Sequence, residues 1–366
     1  MLGTPERRER EGGTIARRRL RTQRIAGPGF ATPADVVAWF GAVQAQDFAA
    51  ALWAIGLRTK NATERLVEQA IADRTIVRTW PLRGTLHFVA PADVRWMLTS
   101  LAPRVIARAA TRFRQLELDA AAFTRSRKVL VKALEGGRRL TRPAIYQRLE
   151  AASIATRNSR GLHILFCLAH DGLICFGAHE GRQPTFALLD EWVSPAKPLD
   201  RDEALAELAR RYFTSHGPAT VKDFGWWSGL GAADARAGHE MSRSQLERSS
   251  IAGETYWAGG KTPRSVPALR TPHVVLLPRF DEYTVAYQDR RAVLPAKHAA
   301  RGRNGIFGPI VVIDGQVAGT WTRRLTVDAV AIALKPFVRL SADTAPSVAA
   351  AAARYGRFLG RPACLS

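Results

Sequence analysis

The chain has 366 residues, of which 46% are hydrophobic, so it can bury a sizeable core and exceeds the length of one typical compact domain. Its 54 Lys and Arg residues outnumber its 32 Asp and Glu residues, and the formal net charge of +22 favours a polyanionic partner, with nucleic acid first. A membrane protein is excluded because no run of about 18 uncharged apolar residues is present, and three cysteines without a Cys-x-x-Cys pair indicate a reducing, cytoplasmic compartment.

The first 24 residues are strongly basic and lack the apolar core that a signal peptide needs. They predict a disordered basic arm. Two roles stay open for this arm, which either is a solvated tail or grips DNA phosphates. The folded part of the chain is expected to begin near residue 25.

The next segment predicts three helices and a hairpin. Thr32 is a suitable N-cap, followed by a proline and by Asp35 in the first turn. The apolar positions that follow have helical spacing and run out at Gln44, so the Gln-Ala-Gln-Asp segment is expected at the end of this helix or in the next turn. Asp47 is expected to start a second helix. Residues 76–88 alternate with a period of two and predict a β-hairpin, which completes the order of a winged helix.

The same order recurs twice more, and strands dominate after residue 263. We therefore predict an α+β fold of tandem winged-helix (helix-turn-helix) modules with a C-terminal β-rich domain. A single strand is expected over Ile251–Trp257, a linker over Gly259–Pro263 and a hairpin turn at Asp314-Gly315. The predicted segments are a disordered basic arm (1–24), winged helix 1 with the glutamine motif (25–115), winged helix 2 (116–197), winged helix 3 (198–262) and the β-rich domain (263–366).

Several kinds of chemistry have no signature in this sequence. The eight histidines are scattered, and no His-x-Glu is followed by a Cys-x-x-Cys pair, so zinc chemistry is not expected. No glycine-rich phosphate loop follows a strand, and no Gly-x-Ser-x-Gly elbow is present. The sequence therefore predicts a protein that works without a metal or a cofactor.

The segment Gln44-Ala45-Gln46 resembles the motif of the AlkZ and YcaQ family of bacterial winged-helix DNA glycosylases, whose members carry Gln-x-Gln or Gln-x-Asp in this setting. Taken alone, two glutamines beside a helix end would more often be solvated or would cap a turn. The likeness extends over most of the chain. Its other stretches are Arg78–His87, Leu277–Tyr283, Asn304–Phe307 and Gly319–Trp321.

The resemblance implies a monofunctional DNA glycosylase that hydrolyses the N-glycosidic bond of N7-alkylated purines, including interstrand crosslinks or bulky natural-product adducts. An N7-alkylated purine carries a positive charge and leaves without a general acid, so the protein needs only to stabilise charge on the sugar and to aim a water. Neutral amides suit this task, which makes Gln44 and Gln46 the expected catalytic pair. Asp47 is an alternative water activator, ranked below Gln46 because an N-cap role explains it equally well.

The expected partner is double-stranded DNA that carries an alkylated purine, bound in a basic channel by a monomeric, nucleoid-associated protein. Trp80 and Trp321 could stack on a base, although tryptophans in small modules are more often core residues. Asp281 is expected to orient an arginine or a tyrosine. The predicted DNA contacts are Arg78, Trp80, Arg83, His87, Arg279, Tyr283, Arg303 and Arg323.

Two other classes remain open on the sequence alone. A winged-helix transcription regulator would bind DNA with sequence selectivity and release no base. A structural or nucleoid-associated protein would bind DNA in a salt-sensitive manner that is indifferent to sequence and lesion.

Overall fold

The computed structural model describes residues 5–260, 272–294, 298, 308–337 and 339–366, with side chains from residue 12 onward. The chain forms two compact units. Unit 1 comprises Met1–Val67 and Leu205–Ser366, and unit 2 comprises Glu68–Ala204. Each unit combines helices with β-sheet, which confirms the predicted mixed α and β character. Among the described residues, no helix is both long enough and apolar enough to cross a membrane.

The described helices are α1 (Pro5–Thr22), α2 (Pro33–Phe40), α3 (Phe48–Gly56), α4 (Glu64–Ala72), α5 (Val94–Gln115), α6 (Ala120–Leu134), α7 (Arg142–Ala151), α8 (Arg160–His170), α9 (Leu189–Trp192), α10 (Arg201–His216), α11 (Val221–Ser228), α12 (Ala232–Ser242), α13 (Glu282–Val285) and α14 (Ala345–Leu359). The described strands are β1 (Ala42–Gln44), β2 (Val77–Leu82), β3 (Thr85–Val89), β4 (Leu140–Thr141), β5 (Ile174–Phe176), β6 (Thr185–Leu188), β7 (Leu246–Ile251), β8 (Glu254–Gly259), β9 (Val274–Leu277), β10 (Ile310–Ile313), β11 (Gln316–Leu325), β12 (Val330–Pro336) and β13 (Ala363–Leu365).

Unit 1 contains a five-stranded sheet with the order β13-β12-β11-β10-β9. The pairs β9–β10, β10–β11 and β11–β12 are antiparallel, whereas β12–β13 is parallel. The β10–β11 turn is formed by Asp314 and Gly315, whose φ angles are both positive, at 51° and 90°. This is the turn that the Asp-Gly pair predicts, because a two-residue hairpin of this type needs a left-handed backbone at both positions.

Helix α3 packs against this sheet and against the terminal helix α14. The indole N–H of Trp53 donates to the Leu276 carbonyl at 2.8 Å, and the Trp53 ring lies 5.0 Å from the rings of both Tyr355 and Phe358. Gly56 lets this packing close, since a Cβ at that position would lie 2.3 Å from the Phe358 ring. The helix that begins directly after the glutamine motif is therefore fixed by aromatic packing.

The prediction of a disordered N-terminal arm is wrong for the residues that form α1. Within the C-terminal half of this helix, the side chain of Arg19 is 1% exposed. Its Nε donates to the Pro218 carbonyl at 3.0 Å, and its guanidinium lies 3.5 Å from the centre of the Tyr287 ring and 3.8 Å from Asp223. Arg19 is therefore a buried packing residue, and neither of the two predicted roles of the arm, a solvated tail or a grip on DNA phosphates, describes its side chain.

Helix α2 begins as predicted. Thr32 and Asp35 form a capping box, in which the Thr32 oxygen accepts the Asp35 N–H and the Asp35 carboxylate accepts the Thr32 N–H. The helix ends earlier than its apolar pattern indicates, because Gly41 takes a positive φ of 76° immediately after Phe40. Gln44 therefore lies in the short strand β1 and not at the end of the helix.

The strands of unit 2 lie in one sheet, in the order β3-β2-β5-β6-β4. The predicted hairpin is present, with Val77 opposite Val89, and its turn places Arg83 and Gly84 at φ angles of 55° and 72°. Helices α5 and α6 were not predicted, and Pro103 lies inside α5, where a proline usually ends a helix. These helices help to bury an apolar cluster that includes Trp80.

The third repeat has the predicted helices but a different end. Thr220 caps α11 through a capping box with Asp223. The predicted single strand over Ile251–Trp257 is instead the turn and second strand of the β7–β8 hairpin, because Ala252 and Gly253 both have positive φ. The predicted linker lies partly outside the described residues. The division into five segments stays a prediction.

Candidate active site

The glutamine motif leaves β1 and enters α3. Gln44 is half-buried, Ala45 is buried, Gln46 is exposed, and Asp47 is half-buried as the N-cap of α3. The Gln46 N–H donates to the Gln44 side-chain oxygen at 3.1 Å. Because a backbone N–H needs an acceptor, this contact fixes which end of the Gln44 amide faces Gln46 and leaves its NH₂ group as the donor on the other side.

A buried carboxylate holds the backbone of Gln44. The Gln44 N–H donates to Oε1 of Glu282 at 2.8 Å, and Glu282 is 1% exposed. The second oxygen, Oε2, accepts the indole N–H of Trp227 at 3.1 Å and lies 3.4 Å from Nε2 of His216. Helices α10 and α11 therefore hold one oxygen of this carboxylate, and the other oxygen holds the strand that carries Gln44.

His216 lies at the end of α10 and is fully buried. Its ring stacks on Tyr212 at 4.7 Å, and its Nδ1 lies 2.9 Å from the hydroxyl of Ser215. Burial lowers the pKa of His216, and Glu282 raises it by less. The neutral imidazole is therefore the form that the folded protein favours, and it contributes shape and a hydrogen-bonding edge to this cluster.

A second buried carboxylate lies next to Glu282 along the chain. Asp281 accepts two hydrogen bonds from Arg58, at 2.9 Å from Nη1 and 2.8 Å from Nη2, and both side chains are at most 2% exposed. Arg58 also donates to the backbone and side-chain oxygens of Gln23, at 2.9 and 3.1 Å. Asp281 was expected to orient an arginine or a tyrosine in the site; it pairs with Arg58, a buried arginine in the interior of unit 1, and a role for this pair in the site stays a prediction.

The Arg58–Asp281 pair joins the two chain segments that form unit 1. Phe280 follows strand β9, and its φ of 59° turns the backbone. Asp281 then caps the following turn, because its carboxylate accepts the Tyr283 N–H at 2.9 Å. Arg58 follows directly after α3 and its apolar face. This turn therefore places Asp281 beside Arg58, just after α3, and Glu282 beside the backbone of β1.

Both carboxylate oxygens of Asp47 have contacts. Oδ1 accepts the Ala50 N–H at 3.1 Å as an N-cap, and Oδ2 lies 3.7 Å from Nη1 of Arg279. The Arg279 side chain is 50% exposed and that of Asp47 is 34% exposed. The capping contact accounts for Asp47 structurally, and Arg279 presents its cation beside the glutamine motif.

The structure corrects several predicted DNA contacts. Tyr283 is fully buried, and its hydroxyl donates to a backbone oxygen of Gly315 at 2.7 Å, so this side chain is part of the interior of unit 1. In unit 2, Trp80 is 7% exposed in the apolar cluster and His87 is 0% exposed. Arg78 is 7% exposed and lies over the Phe176 ring. Arg78, Trp80 and His87 are buried because both faces of the β2–β3 hairpin are covered.

Other predicted contacts remain at the surface. Arg83 is half-buried in the β2–β3 turn, and Arg323 is exposed on β11.

Trp321, the other proposed stacking residue, is 4% exposed and donates to the Leu277 carbonyl at 2.8 Å, so it belongs to the core. Arg303 and Asn304–Phe307 lie outside the described residues.

No group of three or more His, Cys, Asp or Glu side chains with metal-binding geometry occurs within the ranges that the structure describes. The acidic and imidazole groups near the motif are instead used in pairs: Glu282 with His216, and Asp281 with Arg58. The arrangement can orient amides and a water, and it offers hydrogen-bond acceptors to a positively charged substrate.

Four residues of this arrangement were not predicted from the sequence: Glu282, His216, Trp227 and Arg58. A signal was present for some of them. Asp281 and Glu282 are consecutive acids that follow a buried strand, and such acids need partners when they are buried. Arg58 follows an apolar helix, and a cation that is buried there also needs a partner. Neither pattern identifies which partner it is.

Comparisons with known proteins identify the family and the fold. A model of the family described as DNA glycosylase AlkZ-like matches residues 37–358. The interstrand DNA cross-link repair glycosylase of Streptomyces sahachiroi is 27% identical over 308 residues, which cover 78% of this chain and 81% of that protein. The solved structure of the Streptomyces sahachiroi DNA glycosylase AlkZ has the same fold, with a TM-score of 0.75 at 22% identity over 96% of this chain and 98% of that one. Because the family match spans most of its length and includes the glutamine motif, this chain belongs to the AlkZ-like DNA glycosylase family.

Proposed function

We propose that this protein is a DNA glycosylase that hydrolyses the N-glycosidic bond of N7-alkylated purines and unhooks interstrand crosslinks formed through such bases. The observation that carries the proposal is the fixed geometry of Gln44 and Gln46 on a backbone held by Glu282. The Streptomyces sahachiroi relative is named for interstrand crosslink repair, which supports the crosslink as a substrate class.

The chemistry requires little proton transfer. The C1′–N9 bond breaks with its electron pair passing to the cationic base, which leaves as a neutral molecule, and a water adds to C1′ and loses its proton to solvent. The Gln46 side chain is exposed and suits the orientation of this water. Gln44 supplies an NH₂ donor next to it. Undamaged purines lack the activating charge, so the same site discriminates against them.

We also propose that the helix and hairpin repeats are winged-helix modules and that Arg279, Arg83 and Arg323 contact DNA phosphates. Arg279 is supported by its exposure beside the glutamine motif. Arg83 occupies a hairpin turn, which is the part of a winged helix that usually lies along the DNA backbone. A monomeric state and a nucleoid location stay predictions.

The test uses a duplex with a single N7-methylguanine and a second duplex with an N7-linked crosslink. Incubation with the protein should produce alkali-labile abasic sites well above the spontaneous depurination rate, while a duplex with unmodified guanine should yield none. Base release at only the spontaneous rate from both lesions would refute the proposed glycosylase activity. Tight sequence-selective binding without release would instead support a transcription regulator, and salt-sensitive binding indifferent to lesion would support a structural DNA-binding protein.

Matched variants test the assignment of the glutamines. Q44A and Q46A should each lower the single-turnover rate about 100-fold, because each removes one oriented polar group from the site. Binding of the lesion duplex should be retained. Unchanged base release in both variants would remove the pair from the site.

A further inference from the structure

We propose that Glu282 is a positioning residue for catalysis, which sets the orientation of Gln44 through the backbone and is itself aligned by Trp227 and His216. This inference rests on the proposed function, because its catalytic consequence requires that Gln44 acts in base release. It assigns a role to a carboxylate that lies 238 residues from Gln44 in the sequence.

The first step of the argument concerns the length of the strand. β1 has only three residues, and Gly41 turns the chain sharply just before it. Gln44 is the last residue of β1, so one strong backbone contact has a large influence on where its side chain starts. A hydrogen bond from an N–H to a carboxylate is about twice as strong as one between neutral groups, and this one is 2.8 Å long.

The second step concerns the geometry of the acceptor. A carboxylate has two oxygens that accept, and Glu282 uses both, with Oε1 toward Gln44 and Oε2 toward the Trp227 indole at 3.1 Å. Glutamine has the same shape but only one accepting oxygen. In E282Q, one of these two N–H groups would therefore face an NH₂ group, and the alignment would be lost without a change in volume.

The third step links the backbone to the chemistry. The Gln44 side-chain oxygen accepts the Gln46 N–H at 3.1 Å, so a shift of Gln44 is transmitted to Gln46. Displacement of a catalytic group by about 1 Å can cost roughly 100-fold in rate. Glu282 does not touch the substrate in this assignment, and it acts by keeping both amides in place.

The contact itself is tested on the free protein by amide hydrogen exchange of a ¹⁵N-labelled sample. We expect the Gln44 amide to exchange about tenfold faster in E282Q than in the wild type. E240Q is the matched control, since Glu240 belongs to the same unit and its side chain is 59% exposed. That variant should leave the Gln44 amide unchanged. Unaltered Gln44 exchange in E282Q would overturn the proposal.

The catalytic consequence is tested by single-turnover release of N7-methylguanine. E282Q should be about 100-fold slower than the wild type with an unchanged dissociation constant for the lesion duplex, and E282D should recover part of the rate because it restores both acceptors. If E282Q does not fold, as judged by circular dichroism, W227F removes the second contact and should give a smaller loss of the same kind. An active wild type with a fully active, folded E282Q would refute this inference alone, whereas an inactive wild type would refute the proposed function.

Discussion

Arg58 binds both carboxylate oxygens of Asp281, at 2.9 and 2.8 Å, in the interior of unit 1. The pair connects the segment that follows α3 to the turn that carries Glu282, whose carboxylate accepts the Gln44 N–H. Arg58 and Asp281 are 223 positions apart in the sequence. Planar guanidinium and carboxylate groups paired in this way define distance and angle together.

Loss of Arg58 should strongly destabilise the protein. R58M keeps much of the side-chain volume but leaves Asp281 as a buried, unpaired charge, and the free energy of unfolding should fall by about 3–5 kcal/mol. Urea denaturation followed by circular dichroism measures this value. The matched control is R127M, which breaks the exposed pair with Asp171 and should cost about 1 kcal/mol or less. Equal losses in the two variants would contradict the structural role of the buried pair.

Two substitutions at Asp47 separate its capping role from a role in water activation. D47N keeps an accepting oxygen for the Ala50 N–H, so its stability should match the wild type and its base-release rate should stay within about threefold. D47A loses the cap and about 1 kcal/mol of stability. A stable D47N with a rate lowered by about 100-fold would show instead that the carboxylate activates the water.

Arg279 is predicted to contact a DNA phosphate. R279A should weaken binding about equally for different DNA sequences, and the slope of log binding constant against log salt should decrease in magnitude by about one. Fluorescence anisotropy at several salt concentrations gives the slope. Y283F serves as the control, because the buried Tyr283 hydroxyl donates to a backbone oxygen within unit 1 and its removal should leave the slope unchanged. An unchanged slope in R279A would exclude this contact.

The stability of the protein should fall on mild acidification. Burial lowers the pKa of His170, His216 and His273 below the ordinary value of 6.5, so near that pH the unfolded chain binds protons that the folded chain does not. Their stabilising contribution is present above about pH 6.5 and is lost as the pH falls toward the lowered pKa values. Each group can contribute up to about 1.4 kcal/mol per pH unit in this window.

Urea unfolding at about pH 7.5 and about pH 5.5 measures the effect. H216F removes one of the buried titrating groups, so the difference between the two conditions should be smaller in that variant. A free energy of unfolding that is the same at both pH values in the wild type would show that the buried histidines do not control acid stability.

The sequence by itself determined the features that depend on neighbours a few residues apart. The Thr32–Asp35 capping box, the Asp47 cap and the Asp314-Gly315 turn are hydrogen bonds or backbone angles within a short segment, and their residue types specify them. The glutamine motif could likewise be recognised from local residues. Its likeness to a glycosylase family therefore gave the correct family.

Only the tertiary structure decided which distant groups meet. The basic N-terminal segment is a packed helix and Tyr283 is an interior residue because remote parts of unit 1 contact them. The Tyr287 ring packs against Arg19, and the Gly315 carbonyl accepts the Tyr283 hydroxyl. The contact between Gln44 and Glu282 was likewise decided by the tertiary structure, because the two residues are 238 positions apart in the sequence. A sequence shows that a buried carboxylate must have partners, because an unpaired charge is costly in a medium of low polarity, but packing of the whole unit selects them.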